Sequence, residues 1–339
     1  MIACFMVGPY WDSLTDFHSG VNDNYDTNYA MRICVLVVDD VFDTGLASIL
    51  DTFETANELG SEQRFEVTVA SPRARVRTHH GLAVPVVAPP SRADLIIVPA
   101  LACKHPGTIV AAFKRAEVCA LVETVQRYAK RSRIAAACTG TFVLGHAGVL
   151  DGRRATTTWW LGPTFRNSFP AVDLDETQMI VLDGNIVTAG AALAHIDLAL
   201  AVIRDRSPDL AATVARYLLI DDRASQAPFL APSHVAHDDE LVKKFDRWVR
   251  SRLGEPFELA KAARAIGASE RTLQRRVRAV LGKPPIGFVQ DLRLERAVHL
   301  LRVTKDSVDE IASAVGYEDG STLRALLRRK LHTGVRDLR

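Results

Sequence analysis

The sequence of 339 residues is poor in cysteine, and its cysteines are arranged neither for cross-linking nor for metal binding. They are odd in number and widely spaced, and none forms a CxxC pair: Cys4, Cys34, Cys103, Cys119 and Cys138. This pattern excludes a disulfide framework and a zinc cluster, and reduced thiols are expected. His234 and His237 have no further ligand residues nearby. We therefore predict no metal and no cofactor.

Long apolar runs and export signals are lacking as well. Around Cys138, the longest stretch free of Asp, Glu, Lys and Arg covers residues 134–150, which is shorter than the ~20 apolar residues of a membrane-spanning helix. The first residues, "MIACFMVGPYWDS", have no basic start and no small-residue cleavage site, which argues against a secretory signal. The sequence thus predicts a cytoplasmic protein without a membrane partner.

Charge is distributed unevenly along the chain. Residues 241–339 contain 22 Lys and Arg against 12 Asp and Glu, a balance of +10. The remainder contains 20 against 28, a balance of −8, so the whole chain has a formal net charge of only +2. A basic C-terminal third attached to an acidic body indicates a polyanionic partner for that third.

Strand-like and helix-like segments alternate from Met31 onwards. Short apolar runs such as "RICVLVV", "FEVTVAS", "ADLIIVPA" and "RIAAAC" are typical of buried strands. Residues 107–132 have the pattern of a helix, and Asp-Gly in "MIVLDGNIVTAG" indicates a hairpin. The alternation predicts an α/β sandwich with a mostly parallel, flavodoxin-like sheet that is covered on both faces.

These patterns divide the chain into four regions. Residues 1–30, rich in Asn, Asp and Tyr, have no clear period and are expected to form a loose N-terminal extension. Residues 31–220 form the α/β domain, and residues 221–238, rich in Pro, Ala, Ser and His, form a linker. Residues 239–339 are expected to be an all-helical domain.

The segment "IAAACTGTFVLGHAG" places Cys138 between a buried strand and a helix. Such a sharp strand-to-helix elbow holds the nucleophile of many α/β hydrolases, and its N–H groups and helix dipole favour a thiolate. Ligands also bind at this edge of parallel sheets. Acyl transfer needs a base or acid within hydrogen-bond reach. His146, farther along the helix, is roughly 12 Å away by rise per residue and is too far.

The C-terminal third contains a repeated pattern. In residues 259–282 and again in 308–334, an apolar residue lies eight positions before a glycine, an alanine four before it and an aliphatic residue one before it. These glycines, Gly267 and Gly316, predict two helix–turn–helix units, because chain reversal after a helix favours positive φ. Other residues predict where helices begin and end. Ser269, and Ser307 with Glu310, are expected to cap helix N-termini, and Gly282 and Pro284 are expected to end the second helix of the first unit.

The second helix of each unit carries polar residues at helical spacing, opposite an apolar face. The polar faces comprise Arg271, Gln274, Arg275 and Arg278 in the first unit and Ser321, Arg324 and Arg328 in the second. Arg and Gln can pair with guanine and adenine edges, so two such faces in a basic region favour double-stranded DNA over a merely solvated surface. Lys283, just past the first helix, is a candidate phosphate contact. Residues 292–303 form a connecting helix that holds the two faces about one DNA turn, ~34 Å, apart.

The two segments "SERTLQRRVRAVLGKPP" and "VDEIASAVGYEDGSTLRALLRRKLHTG" resemble the two motifs of the AraC/XylS family of bacterial transcription regulators. The resemblance covers residues 239–339. It implies base-reading roles for five side chains: Arg271, Gln274 and Arg275 in the first unit, and Ser321 and Arg324 in the second. Ala325 stands where the family often has a polar reader, and "GVRDLR" lacks the family's usual proline. The second unit is therefore expected to bind mainly phosphates.

The segments "ACTGTFVLGHAGVLDGRRATTTWW" and "VTAGAALAHIDLALAVI" are similar to the ThiJ/PfpI branch of the glutamine-amidotransferase-like superfamily. With the C-terminal resemblance, the chain resembles a GlxA-type regulator. Enzymes of the superfamily use the elbow cysteine, a carboxylate after the first strand and usually a histidine, and Cys138 and Asp43 match the first two. Thr139 and Thr158 stand where relatives often have His, and "VPALACKHPG" lacks the Gly-Gly that helps form an oxyanion hole. His105 is the remaining candidate, although a lone loop histidine is more often simply exposed.

The resemblance implies a sequence-specific transcription regulator whose α/β domain is non-catalytic and senses a small molecule. The expected ligand-binding residues are Asp43, His105, Cys138, Thr139 and Thr158. Two alternatives stay open: a catalytic ThiJ/PfpI-type hydratase or hydrolase fused to a DNA-binding domain, and a sensor based on oxidation of Cys138. The expected partners are promoter-operator DNA, an unidentified small-molecule effector and a second copy of the chain, because pairing raises operator affinity.

Overall fold

A computed structural model of the protein describes residues 30–60, 65–221, 225–226, 239–331 and 334–339. The expected loose extension and almost all of the expected linker lie outside these residues. The described residues of 1–158 and 169–224 form one compact unit, and those of 159–168 and 225–339 form a second. No helix within the described ranges has both the length and the apolar composition to cross a bilayer.

The first unit is built on a mostly parallel sheet. Its strands are β1 (Met31–Leu36), β2 (Phe65–Ala70), β3 (Val76–Arg77), β4 (Ala83–Val84), β5 (Leu95–Val98), β6 (Arg133–Ala137), β7 (Arg154–Ala155), β8 (Asp173–Leu174), β9 (Ile180–Asp183) and β10 (Ile186–Ala189). Six of them form one sheet in the order β2–β1–β5–β6–β10–β9. Every neighbouring pair in it is parallel except the β9–β10 hairpin. The predicted parallel sheet and the Asp-Gly hairpin are both confirmed.

Helices cover both faces of this sheet. They are α1 (Asp43–Leu59), α2 (Pro106–Ala112), α3 (Ala116–Tyr128), α4 (Gly140–His146), α6 (Ala194–Arg206) and α7 (Pro208–Tyr217), whereas α5 (Gly162–Ser168) belongs to the second unit. Helices α1, α6 and α7 share one core with alternate strand residues such as Ile33 and Ile97. Helices α3 and α4 pack against β6. Strands β5 and β6 are buried along their whole length, as a sheet covered on both faces requires.

The single helix predicted over residues 107–132 is wrong, because the chain breaks into α2 and α3. The break ends at Arg115, whose backbone is extended at the N-cap of α3. The Arg115 guanidinium donates to the Asp39 carbonyl oxygen, 2.9 Å away, and pairs with the Asp40 carboxylate. This tertiary ion pair fixes the break at a point where the local pattern alone favours a continuous helix.

The second unit is helical after residue 239, as predicted. It contains α8 (Glu240–Arg250), α9 (Leu259–Ala265), α10 (Glu270–Leu281), α11 (Pro285–Val303), α12 (Val308–Ala314), α13 (Gly320–Leu331) and α14 (Val335–Leu338). Two small cores form, which share no residue. Helix α11 contributes Phe288 and Leu292 to the first core, and Ala297 and Leu301 to the second. The predicted connecting helix is therefore confirmed and begins earlier, at Pro285.

The predicted helix ends are confirmed. Ser269 accepts a hydrogen bond from the Thr272 N–H at the start of α10. Ser307 and Glu310 form a reciprocal capping box, with 2.7 Å from the Ser307 N–H to the Glu310 carboxylate. Gly282 ends α10 in the left-handed region with φ of 68°. Gly316 has φ of 84°, and a side chain there would collide with the Leu253 carbonyl oxygen, so only glycine fits this turn.

Candidate ligand site at the cysteine elbow and candidate DNA-binding helices

Cys138 lies on a strained elbow between β6 and α4. Its φ is 55°, a left-handed conformation that is uncommon for a residue with a side chain. The Cys138 N–H donates to the Ala189 carbonyl oxygen at 2.8 Å, and the Thr157 hydroxyl donates to the Cys138 carbonyl oxygen at 2.8 Å. A Cβ at Gly140 would lie 2.4 Å from the Val98 carbonyl oxygen. The elbow therefore requires glycine at this position, where α4 begins.

The Cys138 thiol is buried and held in its protonated form. Burial raises the pKa of Cys138 to about 12, and hydrogen bonds from Thr139 and Thr158 oppose this shift only in part. At neutral pH the side chain is consequently a thiol. The stabilisation of a thiolate that an elbow usually provides is outweighed here by desolvation.

Threonine hydroxyls surround the elbow. Thr139 donates to the Leu101 carbonyl oxygen at 2.5 Å and so ties the elbow to the loop after β5. The Thr158 hydroxyl lies beside the Cys138 thiol, where it lowers the pKa of that group. Thr158 is fully buried, and the Cys138 thiol, a weak hydrogen-bonding group, is the neighbour of its Oγ1 that the described residues supply.

Asp43, the first residue of α1, lies in a polar cluster with a residue that the sequence analysis missed. Its Oδ2 is 2.9 Å from His80 Nδ1, on the loop between β3 and β4. Burial alone would raise the pKa of Asp43, but hydrogen bonds from Thr78 and His80 outweigh it and lower that pKa. No group of three or more potential metal ligands occurs in the described part of the chain. Because Asp43 and His80 are 37 positions apart, no local sequence pattern indicated that they would form a hydrogen bond.

The other candidate histidine, His105, is exposed at the N-cap of α2. Its backbone N–H donates to the Thr108 hydroxyl at 3.2 Å. His146, on α4, stacks on Phe113 with ring centroids 3.9 Å apart. Within the described residues no hydrogen bond joins a histidine to Cys138.

A buried histidine that the sequence analysis missed, His195, supports the loop after β5. Its Nε2 accepts a hydrogen bond from the Ala100 N–H at 3.0 Å, and its Nδ1 lies 2.7 Å from the Ala192 carbonyl oxygen. Burial lowers the pKa of His195 to about 4, so the ring is neutral with its proton on Nδ1. The Ala102 N–H is also bonded, to the Asp40 carbonyl oxygen. These N–H groups are thus engaged within the protein and are not free to form an oxyanion hole. The only indication of this role in the sequence was the presence of a histidine within an apolar helical segment.

Helix α10 exposes a continuous polar face. Leu273 and Val277 are fully buried behind it and fix the helix to the first core. On the other side, four exposed side chains have no hydrogen bond or ion pair with any described residue: Arg271, Gln274, Arg275 and Arg278. This arrangement matches what base-edge and phosphate contacts require.

Helix α13 presents a less open face. Arg324 and Arg328 are exposed. The Ser321 hydroxyl donates to the Asp319 carboxylate at 2.5 Å, within the N-cap of the helix. Lys283 differs from the other candidates, because its Nζ lies 2.8 Å from the Asp291 carboxylate on α11. The structure thus brings Lys283 into an ion pair that the sequence did not indicate.

A mostly parallel sheet with a cysteine elbow, followed by two helix–turn–helix units, defines a two-part protein that joins an α/β domain to a helix–turn–helix region. Two family models match the chain accordingly: the DJ-1/PfpI family over residues 31–205 and a helix-turn-helix domain over residues 262–339. The first match covers slightly more than half of the chain, which therefore belongs to the DJ-1/PfpI family. The predicted combination of a ThiJ/PfpI-like domain with an AraC-type region is confirmed.

Comparison with known proteins agrees with this assignment. The chain is 31% identical over 188 residues to the HTH-type transcriptional regulator CdhR of Pseudomonas aeruginosa, covering 54% of this chain and 55% of that protein. It is 31% identical over 194 residues to the HTH-type transcriptional regulator GlxA of Rhizobium meliloti, covering 55% and 58%. The chain thus spans slightly more than half the length of these curated relatives. A ThiJ/PfpI family protein from Pseudomonas syringae shares the fold, with a TM-score of 0.50 and 20% identity over 74% of this chain and 98% of that one.

Proposed function

We propose that the protein is a sequence-specific, DNA-binding regulator of transcription. The observation that carries the proposal is the exposed face of α10, formed by Arg271, Gln274, Arg275 and Arg278, which pairs with none of the residues that the structure describes. Residues 239–339 are the DNA-binding domain in this proposal, and promoter-operator DNA in the cytoplasm is the partner. The excess of basic residues in this part of the chain supports it, as do the regulator names of the two relatives.

In the same proposal, residues 31–220 bind a small-molecule effector at the elbow and do not catalyse a reaction. Thr158 Oγ1 and Asp43 Oδ1 are both buried, Thr158 beside the Cys138 thiol and Asp43 in the cluster with Thr78 and His80. A thiol is a weak hydrogen-bond partner, so a ligand that offers Thr158 a stronger one is favoured. Cys138, Thr139 and His105 complete the proposed ligand site.

The enzymatic alternative has weaker support. A hydratase or hydrolase needs a reactive thiolate and a nearby base. The buried, protonated Cys138 thiol and the bonded N–H groups of Ala100 and Ala102 argue against both acyl transfer and an oxyanion hole at this position. The same burial argues against a redox sensor, since oxidation requires an accessible thiolate.

The active form is proposed to be a homodimer formed through residues 31–220, because joining two DNA-binding domains raises operator affinity through effective concentration. Sedimentation velocity of the full chain at micromolar concentration tests this. A dimer mass is expected, and a strictly monomeric mass contradicts the proposal.

The effector site is tested with an isosteric substitution. The full-length protein is first used to select a duplex from a random DNA pool, and then a small-molecule library is screened for compounds that change binding to that duplex. Thr158→Val should bind the duplex as the wild type does without effector, but should lose the response to an active compound by tenfold or more. Thr213→Val makes the same change at an exposed position of α7 and serves as the control. An unaltered response in Thr158→Val would place the effector elsewhere.

A further inference from the structure

Asp291 accepts hydrogen bonds from two lysines that belong to different helix–turn–helix units. Its Oδ2 is 2.8 Å from Lys283 Nζ, just past the end of α10, and its Oδ1 is 2.5 Å from Lys330 Nζ, in the last turn of α13. The Asp291 side chain is 18% exposed, and those of Lys283 and Lys330 are 35% and 29% exposed. The three groups are thus partly shielded from water, which strengthens their attraction.

This cluster links the two helix–turn–helix units directly. Each unit has its own core, and α11 is the element that contributes to both. Arg293, also on α11, donates to the Glu255 carbonyl oxygen, between α8 and α9, and to the Gly316 carbonyl oxygen, in the turn of the second helix–turn–helix unit. Arg293 thereby anchors the turns, whereas Asp291 anchors the far ends of α10 and α13. A helix that is anchored only through its core residues can still move at its end. Because Asp291 pairs with a lysine at the end of α10 and with one at the end of α13, it fixes both helix ends to α11.

We infer that Asp291 is a positioning residue that sets the distance between the two reading helices, and so selects the spacing between the two DNA segments that they contact. The inference rests on the proposed DNA-binding function. Reading helices that are both fixed to α11 tolerate only one separation of their target segments. With Asp291 neutralised, the two ammonium groups repel each other and turn towards phosphates, and the helices follow DNA of altered spacing more easily.

Binding titrations on spacing variants test the inference. The duplex that the full-length wild type selects from a random pool is compared with duplexes that have one base pair inserted or removed between the two contacted segments. The wild type should lose at least tenfold in affinity on the altered duplexes. Asp291→Asn and Lys330→Gln should lose threefold or less. These two variants change the net charge in opposite directions, so a shared effect on the ratio of affinities excludes a simple charge effect.

Two further variants act as controls. Asp291→Glu keeps the carboxylate and should retain most of the wild-type discrimination. Glu295→Gln, on the same helix, breaks a pair with Arg250 on α8 that involves neither α10 nor α13, and should discriminate as the wild type does. Wild-type discrimination in both Asp291→Asn and Lys330→Gln would overturn the inference while leaving DNA binding in place. If the wild type selects no duplex, the proposed function and this inference both fail.

Discussion

Cys138 combines a strained backbone conformation with an unreactive, protonated thiol. A left-handed conformation costs a residue with a Cβ roughly 1–2 kcal/mol, and the surrounding hydrogen bonds hold Cys138 in it. The sharp strand-to-helix turn that the sequence predicts at Cys138 is therefore present. Burial nevertheless keeps the thiol protonated, against the opposing effect of the threonine hydrogen bonds, which suits a wall of a ligand site better than a nucleophile.

Alkylation tests this description of Cys138. Because its pKa is raised to about 12 by burial, Cys138 should react with iodoacetamide at pH 7 at least tenfold more slowly than the exposed Cys119. Peptide mass spectrometry after timed labelling of the full chain measures both rates. Faster labelling of Cys138 than of Cys119 would instead indicate a reactive thiolate and revive the enzymatic and redox alternatives.

His195 makes stability depend on pH. The unfolded chain binds a proton at this histidine near its ordinary pKa of 6.5, whereas burial lowers the pKa in the folded chain to about 4. Its contribution is therefore fully present above pH 6.5 and is lost as pH falls towards 4, by roughly 3 kcal/mol in all. Urea unfolding between pH 7.5 and 4.5 should show this loss. In His195→Gln the free energy of unfolding should fall less over the same pH range. Equal losses of the free energy of unfolding in the wild type and in His195→Gln would contradict the assignment.

At the scale of elements, the elbow depends on one close approach. Helix α4 begins against the backbone after β5, where a Cβ at Gly140 would lie within 2.4 Å of the Val98 carbonyl oxygen. Gly140→Ala should therefore lower the free energy of unfolding by about 3 kcal/mol, as measured by urea denaturation. Gly107→Ala on α2 meets no atom within 4 Å and should leave stability unchanged or raise it by less than about 1 kcal/mol. Similar effects of the two substitutions would show that the elbow is not tightly packed.

Elements whose causes are local could be predicted from the sequence. The parallel sheet, the hairpin, the caps at Ser269 and Ser307 and the glycine turns all follow from short patterns. Features that depend on distant residues could not. The break before α3 requires Asp40, which lies 75 positions from Arg115, and the Ala100–His195 contact joins residues 95 positions apart. The Asp291 cluster likewise needs Lys330, 39 positions away.

At the scale of the molecule, the two candidate sites lie in different compact units of the chain. The acidic body contains the elbow with the buried Thr158 hydroxyl beside Cys138, and the basic C-terminal third contains the exposed face of α10. The candidate DNA-contacting residues on α10 could be predicted from the sequence because they share one face of one helix. The candidate ligand site could be predicted only in part, since Asp43, Thr158 and Cys138 come from separate segments.

The most direct test of DNA reading is a pair of titrations with Arg275→Ala, on the selected duplex and on a scrambled one, each at two salt concentrations. A bidentate base contact contributes about 1–3 kcal/mol of discrimination. Arg275→Ala should bind the selected duplex at least tenfold more weakly, while binding to the scrambled duplex falls much less. Arg296→Ala removes the same charge from an exposed position of α11 and should weaken both duplexes alike and only slightly. Equal losses of Arg275→Ala on both duplexes would contradict sequence reading by α10.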